Sequence, residues 1–350
     1  MSLLVLVLAT IIGVTIFRTW QNRQTLKWQE NYLSIATSQT VKGFFVILIF
    51  LSHFNSYVLY TDPIDLPLAD FCKFFGQLIV APFFFYSGYG VYESIKKKGN
   101  DYIRSFPKRR ILKTLYHFDL AILLFVALNY VFEIHYNLKT ILLSLIAWDD
   151  IGNSNWFIFG ILVTYLLSYI AFRLKIQSKY SIMIVFLLTL GYIALLYFFR
   201  KTEPWWYNTI VCYPLGMLYS YFKDPIENHI LKKRWILWPV AVSSTAVFVA
   251  CYMYADCFAT VMFQVRVLSF LVLLVVWTRL FPAPNAVFKW FGNYVFEIYI
   301  LQRIPMIAYA QLGVDRSVYV YFVLCAATTL LLGIVFKYVV NYMDSKVLMK

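Results

Sequence analysis

Apolar residues run along this chain in long unbroken blocks, separated by short polar intervals that are often basic. Blocks long enough to cross a bilayer lie near residues 2–17, 41–60, 74–95, 111–132, 156–172, 180–199, 206–222, 235–255, 259–278, 290–311 and 317–337. A transmembrane helix needs about 20 such residues, and a helix that is apolar all round must sit in a core or in lipid. The pattern predicts an all-α polytopic membrane bundle of about 10–11 transmembrane helices. The first block is the shortest, but it has neither a basic start nor a small-residue cleavage site, so it reads as a membrane helix rather than a signal peptide. The intervals are too short, and too poor in Gly, Pro and Ser, to hold a linker or a soluble domain.

Composition removes the soluble alternative. Of 350 residues, 61% are hydrophobic, 20% aromatic and only 14% charged, and mean hydropathy is +0.69. Basic residues then set an orientation. If the interval from 18 to 42 is cytoplasmic, alternate intervals carry most of the 31 Lys and Arg. The opposite intervals hold only Lys73, Lys139, Arg200, Lys201 and Arg316, while Arg266 and Arg303 fall inside blocks. Such asymmetry predicts the N-terminus outside and the C-terminus inside. The net charge of +14 then belongs to topology and to contact with anionic membrane lipids, not to nucleic acid. Cys72, Cys212, Cys251, Cys257 and Cys325 are scattered without a CxxC pair, so no metal site is expected; Cys251 and Cys257 read as structural thiols, although they lie near enough for a disulfide.

Against this background a few polar residues stand out. His53 lies deep in the block VKGFFVILIFLSHFNSYVLY, eleven steps after Lys42. At about 100° per residue both side chains share one helix face, about 16 Å apart along the axis. Ionisable groups inside a bilayer usually line a cavity or a reaction path; the plain alternative is a histidine bonded to a neighbouring helix. The interval KKKGNDYIRSFPKRR contributes Arg104, Lys108, Arg109 and Arg110, a cluster suited to phosphate recognition and equally to anchoring on anionic lipid. Just before it, Ser87, Gly88 and Gly90 interrupt an aromatic run and allow close approach by a helix or a ligand. His117 and Asp119, in the fourth block, suit either the tuning of a donor site or a plain polar patch in the bundle interior. Arg266, Glu297 and Arg303 are charges within late blocks, and Glu297 is expected to pair with one of the two arginines. Asn153, Asn155 and Trp156 mark an outer interface that suits either an aromatic belt or sugar stacking. There is no GxSxG elbow, P-loop or HExxH motif.

Three segments together resemble the membrane-bound acyltransferase family 3, multi-pass proteins that O-acylate glycans. VKGFFVILIFLSHF resembles the family's opening helix, in which a basic residue precedes His by ten intervening positions. PFFFYSGYGVYES is similar to its third segment, and FPKRRILKTLYH to its basic loop. FGNYVFEIYILQRIP is a weaker match to a late helix. Lys42 stands where the family usually has Arg, and Gln302 where it commonly has His.

The resemblance implies a membrane O-acyltransferase, most simply an O-acetyltransferase, in the cell membrane. Residues 1–40 would be an additional membrane helix and cytoplasmic connector, and 41–350 the acyltransferase-like transmembrane domain. No bound cofactor is implied: acetyl-CoA or another acyl-CoA is a cytoplasmic donor substrate, and a glycan hydroxyl outside is the acceptor. His53, above Lys42, would be general base or acyl-imidazole nucleophile. Lys42, Arg104, Lys108, Arg109 and Arg110, with Ser87 and Tyr89, would hold the donor; Asn155, Trp156, Arg266, Glu297 and Gln302 would face the acceptor. The rival reading is a glycan or lipid transporter in which His53, Glu297 and Arg303 line a path, and a third is a non-catalytic member of a complex.

Overall fold

The computed structural model describes residues 32–58, 66–254, 259–280 and 285–347. The predicted helix at 2–17 and Cys257 lie outside the described residues. Those described are helical with no strand among them, as the blocks predict. Among the described residues seven helical stretches are long and apolar enough to cross a membrane, and the chain is a multi-pass membrane bundle.

Helix α1 (Ile35–Phe54) begins six residues upstream of the predicted block, because Ser34 caps it: its hydroxyl accepts from the Thr37 amide at 3.2 Å. A short α2 (Leu66–Phe75) leads through one tight turn into α3 (Ala81–Phe106). Gly99 has φ 55° and ψ −137°, breaking that helix where the membrane-spanning part ends. A widened turn over Pro107–Leu112, with the Lys113 amide bonded back to Lys108, joins α3 to α4 (Lys113–Val131). There follow α5 (Leu138–Leu145), α6 (Trp156–Arg173), α7 (Ser178–Ala194), α8 (Cys212–Tyr221), α9 (Arg234–Met253) and α10 (Ala259–Leu280).

The block predicted at 290–311 is three pieces: α11 (Ala286–Asn293), α12 (Val295–Leu301) and α13 (Arg303–Gln311), followed by α14 (Val318–Val347). Pro305 explains the second break. It has no amide proton and is tolerated only in the first turn of a helix, so a new helix must start just before it, at Gln302.

Two crossings fix the frame, and both are made backbone to backbone through glycine. Gly43 of α1 faces Phe288 of α11, while Gly292 of α11 faces Gln39 of α1; a β-carbon on either would collide with the opposite carbonyl oxygen. Gly88 of α3 and Gly216 of α8 meet in the same way, against the carbonyls of Tyr213 and Phe85. In lipid, where apolar side chains gain nothing by leaving the solvent, such close contact is a main source of helix association.

Gly43→Ala and Gly88→Ala should therefore each destabilise the protein by about 1–3 kcal/mol or more. Gly191→Ala, which meets open space, should be neutral or slightly stabilising. Thermal unfolding in detergent of the three variants checks this, and equal melting temperatures would contradict the crossings.

Candidate functional site

The seating of α1 turns one of its faces toward two cavities. The first holds about 420 Å³ and lies between α1, α3, α6 and α12. Lys42 enters it from α1 and Arg110 from the widened turn after α3. That turn shifts the helical register, so Arg110 points inward while Lys108 and Arg109 stay exposed. The Arg110 Nε donates to the Tyr102 hydroxyl at 3.0 Å, and Ser87 and Tyr165 share a hydrogen bond of 2.9 Å on the wall. Among the described residues no carboxylate lines this cavity and neither cation is in an ion pair. Two uncompensated cations over hydroxyl groups make an anion-binding wall. The inner end, at Phe83, Phe157 and Ile158, is apolar.

The second cavity holds about 590 Å³ and has a different chemistry. His53 reaches it from the last turn of α1, beside Arg303 from α13, and Trp156 and Trp205 form flat walls. The segment 150–155 supplies Asp150, Asn153, Ser154 and Asn155. Its path is held by short-range bonds. The Asn153 carboxamide oxygen accepts from the Ile151 amide at 2.9 Å, and Asn129 of α4 donates to the Ile151 carbonyl, also at 2.9 Å. Outside it, the Arg200 guanidinium lies 3.6 Å from the Trp148 ring and 4.4 Å from that of Trp206, fastening this segment to the turn that carries Trp205. Several buried polar atoms on the wall have no protein partner: His53 Nδ1, Gln77 Oε1, Asn153 Nδ2, Ser154 Oγ, Asn155 Nδ2 and Arg303 Nε. Buried polar atoms are nearly always paired, so a wall with this many free donors and acceptors fits a ligand rich in hydroxyl groups.

Ile49, Val80 and Tyr299 line both cavities, which therefore adjoin there. His53 stands one turn beyond Ile49 on the same face, and its ring centroid is 6.1 Å from that of Tyr299. The spacing of Lys42 and His53 thus does what the sequence predicts: one helix face carries one residue in each cavity.

The other predicted residues divide. Ser87, Arg110, Asn155 and Trp156 line the two cavities; Arg104, Lys108 and Arg109 are exposed and line neither. Tyr89 is buried against α8, 6.4 Å from the Tyr219 ring. Arg266 lies over the Tyr252 ring at 3.9 Å and donates to the Cys251 carbonyl at 3.2 Å. Glu297 pairs with neither arginine. Its carboxylate is 3.8 Å from Lys337 of α14, whose ammonium also reaches the Asn293 carbonyl at the α11–α12 break. Gln302 is fully buried, and its side-chain amide donates to the Tyr299 carbonyl at 3.2 Å, so it holds the backbone behind the junction. His117 and Lys113 both bind Asp344 of α14, at 3.0 and 2.7 Å, away from either cavity.

Sequence reasoning did not single out Tyr299, Asp150, Ser154 or Gln77, and treated Arg303 as an ion-pair partner or, in the transporter reading, as lining a path. For Arg303 a signal existed, a charge inside an apolar block. Tyr299 is one of 28 tyrosines and has no local mark.

A family model described as an acyltransferase domain matches residues 35–338. No curated protein and no solved structure matches the chain.

The Glu297–Lys337 pair gives a check on the packing behind the junction. Lys337→Met leaves a buried carboxylate without its cation and should cost about 1–3 kcal/mol or more. Adding Glu297→Gln should restore most of that loss, because the uncompensated charge is then gone. Melting temperatures of the single and double variants report it, and additive losses would contradict the pairing.

Proposed function

The chain belongs to this acyltransferase family, and on that premise we propose that it moves an acyl group, most simply acetyl, from acyl-CoA to a hydroxyl of a cell-surface or exported polysaccharide or its lipid-linked precursor. It is a membrane acyltransferase; the donor, the acceptor and the cell membrane as its location are the proposed part. The observation that carries the reading is the meeting, at one junction, of two cavities of opposite chemistry. One is cationic, with an apolar inner end that suits a phosphate-bearing thioester. The other is aromatic and rich in unpaired polar atoms, as a glycan site would be. The basic interval that supplies Arg110 supports placing the first cavity toward the cytoplasm and the second toward the outside.

In this reading Lys42 and Arg110 hold the phosphates of the donor while its acyl end reaches the junction. The acceptor lies against Trp156 and Trp205 with one hydroxyl near His53. Neutral His53 takes the hydroxyl proton as the oxygen attacks the thioester carbonyl. The carbon–sulfur bond then breaks and the departing thiolate takes the proton back, giving ester and free CoA. With the two cavities adjoining at these three residues, the reading has hydroxyl and thioester meet directly, without a carrier between them.

His53→Ala should lower acetyl-CoA-dependent thiol release by roughly 10²- to 10⁴-fold, and should fail to restore base-labile acetyl groups on surface glycan in a deletion strain. Normal turnover by the variant would overturn the role of His53, and wild-type substrate flux without thioester consumption would favour a transporter. Arg110→Gln should raise the KM for acetyl-CoA roughly tenfold or more, whereas Arg109→Gln, on an exposed side chain, should raise it less. Equal effects would mean that the basic interval, not the inward cation, attracts the donor.

A further inference from the structure

We propose that Tyr299 is a catalytic residue: its hydroxyl donates a hydrogen bond to the thioester carbonyl oxygen as that oxygen becomes an oxyanion. The inference rests on the acyl-transfer reading above and adds to it a group that stabilises charge, which His53 and the two donor-side cations do not supply.

Four observations converge on Tyr299. Of the three residues common to both cavities, Ile49 and Val80 are aliphatic, so Tyr299 alone offers a polar atom where the reacting carbon must lie. Its side chain is buried, with 4% of its surface exposed, yet its hydroxyl makes no well-formed hydrogen bond in the protein and has only a looser approach to the Phe157 backbone. Such a group is expensive to bury unless something else pairs with it. The ring is also held in place: it packs edge-on against Phe157 at 5.4 Å and 70°, and Gln302 bonds to its backbone carbonyl. Finally, the ring centroid lies 6.1 Å from that of His53, close enough for base and hydroxyl to serve one carbonyl from different sides. A donor fixed before the reaction, in a site shielded from water, stabilises developing charge without having to reorganise.

The step balances without any other reactant. As the acceptor oxygen bonds to the carbonyl carbon, the carbonyl π electrons move onto oxygen, where the Tyr299 O–H meets them. Collapse returns that pair to the C=O bond and expels the thiolate, which takes the proton held by His53. Tyr299 keeps its own proton throughout.

The test is Tyr299→Phe, which removes one oxygen and keeps the ring that packs on Phe157. Membrane vesicles from cells lacking the gene supply the acceptor, and purified wild type or variant transfers radiolabelled acetyl groups from acetyl-CoA to base-labile material. Folded protein is quantified by size-exclusion chromatography, and rates are measured across a range of acetyl-CoA concentrations. The expected result is a maximal rate lower by on the order of 10²-fold, with the KM for acetyl-CoA and the melting temperature close to wild type. A maximal rate per folded protein within a few-fold of wild type overturns the assignment, as does a variant whose loss is wholly in KM or in the amount of folded protein. Should wild type itself transfer nothing while His53→Ala is equally silent, the acyl-transfer reading fails and this inference fails with it. Active wild type with an equally active Tyr299→Phe sinks the inference alone.

Discussion

The contact on which this molecule most depends is the one between two backbones, where α1 crosses α11 at Gly43 and Gly292. Helices in lipid have little hydrophobic reason to associate, so what holds them is how closely their surfaces can approach. Here the approach is as close as a missing β-carbon allows, and it fixes the rotation of α1 about its own axis. Everything useful on that helix follows from the rotation. Turned by a quarter, Lys42 and His53 would face lipid or a packed neighbour rather than the cavities. The second glycine crossing, of α3 on α8, does the same for the opposite wall, seating Ser87 on one side of α3 and leaving Gly90 open to the cavity beside it.

The same environment governs the polar atoms. Away from water, a hydrogen-bonding group must find a partner within the protein or in a ligand. Most do so here: Ser168 with Tyr213, Tyr32 with Tyr219, Glu297 with Lys337, and Asp344 with His117 and Lys113. Of those without one, His53, Gln77, Asn153, Ser154, Asn155, Tyr299 and Arg303 line one cavity, while others, among them Ser181, Tyr192 and Thr329, lie elsewhere in the bundle. That seven such residues gather on the wall of one cavity fits a site that receives a polar ligand.

How much of this could be read beforehand depended on whether a residue's chemistry was rare in its surroundings. His53 and Lys42 were legible because charge and imidazole are scarce in an apolar block and their spacing matches a helix face. Gly88 was legible as a close-approach residue, though the sequence left open whether a helix or a ligand would approach; Gly88 took the helix and Gly90 the cavity. Arg110 could not be told from Arg109, since the two are neighbours of identical chemistry and only the widened turn decides which faces inward. The break at Gln302 was hidden because hydropathy averages over a window and passes smoothly across Pro305. The partner of Glu297 was misjudged for a different reason. Helices brought together in space need not be neighbours in the chain, and Lys337 lies two elements further on. Tyr299 was beyond reach, because being shared between two cavities is a property of the fold alone.

The continuity of α1 has a consequence for the proposed reaction. One uninterrupted helix carries the cation that would grip a donor's phosphates and the imidazole that would meet its acyl carbon, so their separation, about 16 Å of helix rise, is rigid. The helix is therefore a ruler laid beside the donor. A thioester on a long arm can be gripped and presented at once, whereas one on a short arm can do either but not both. Discrimination among donors then needs no pocket shaped to the arm itself, since its length is read against a scale the backbone already provides.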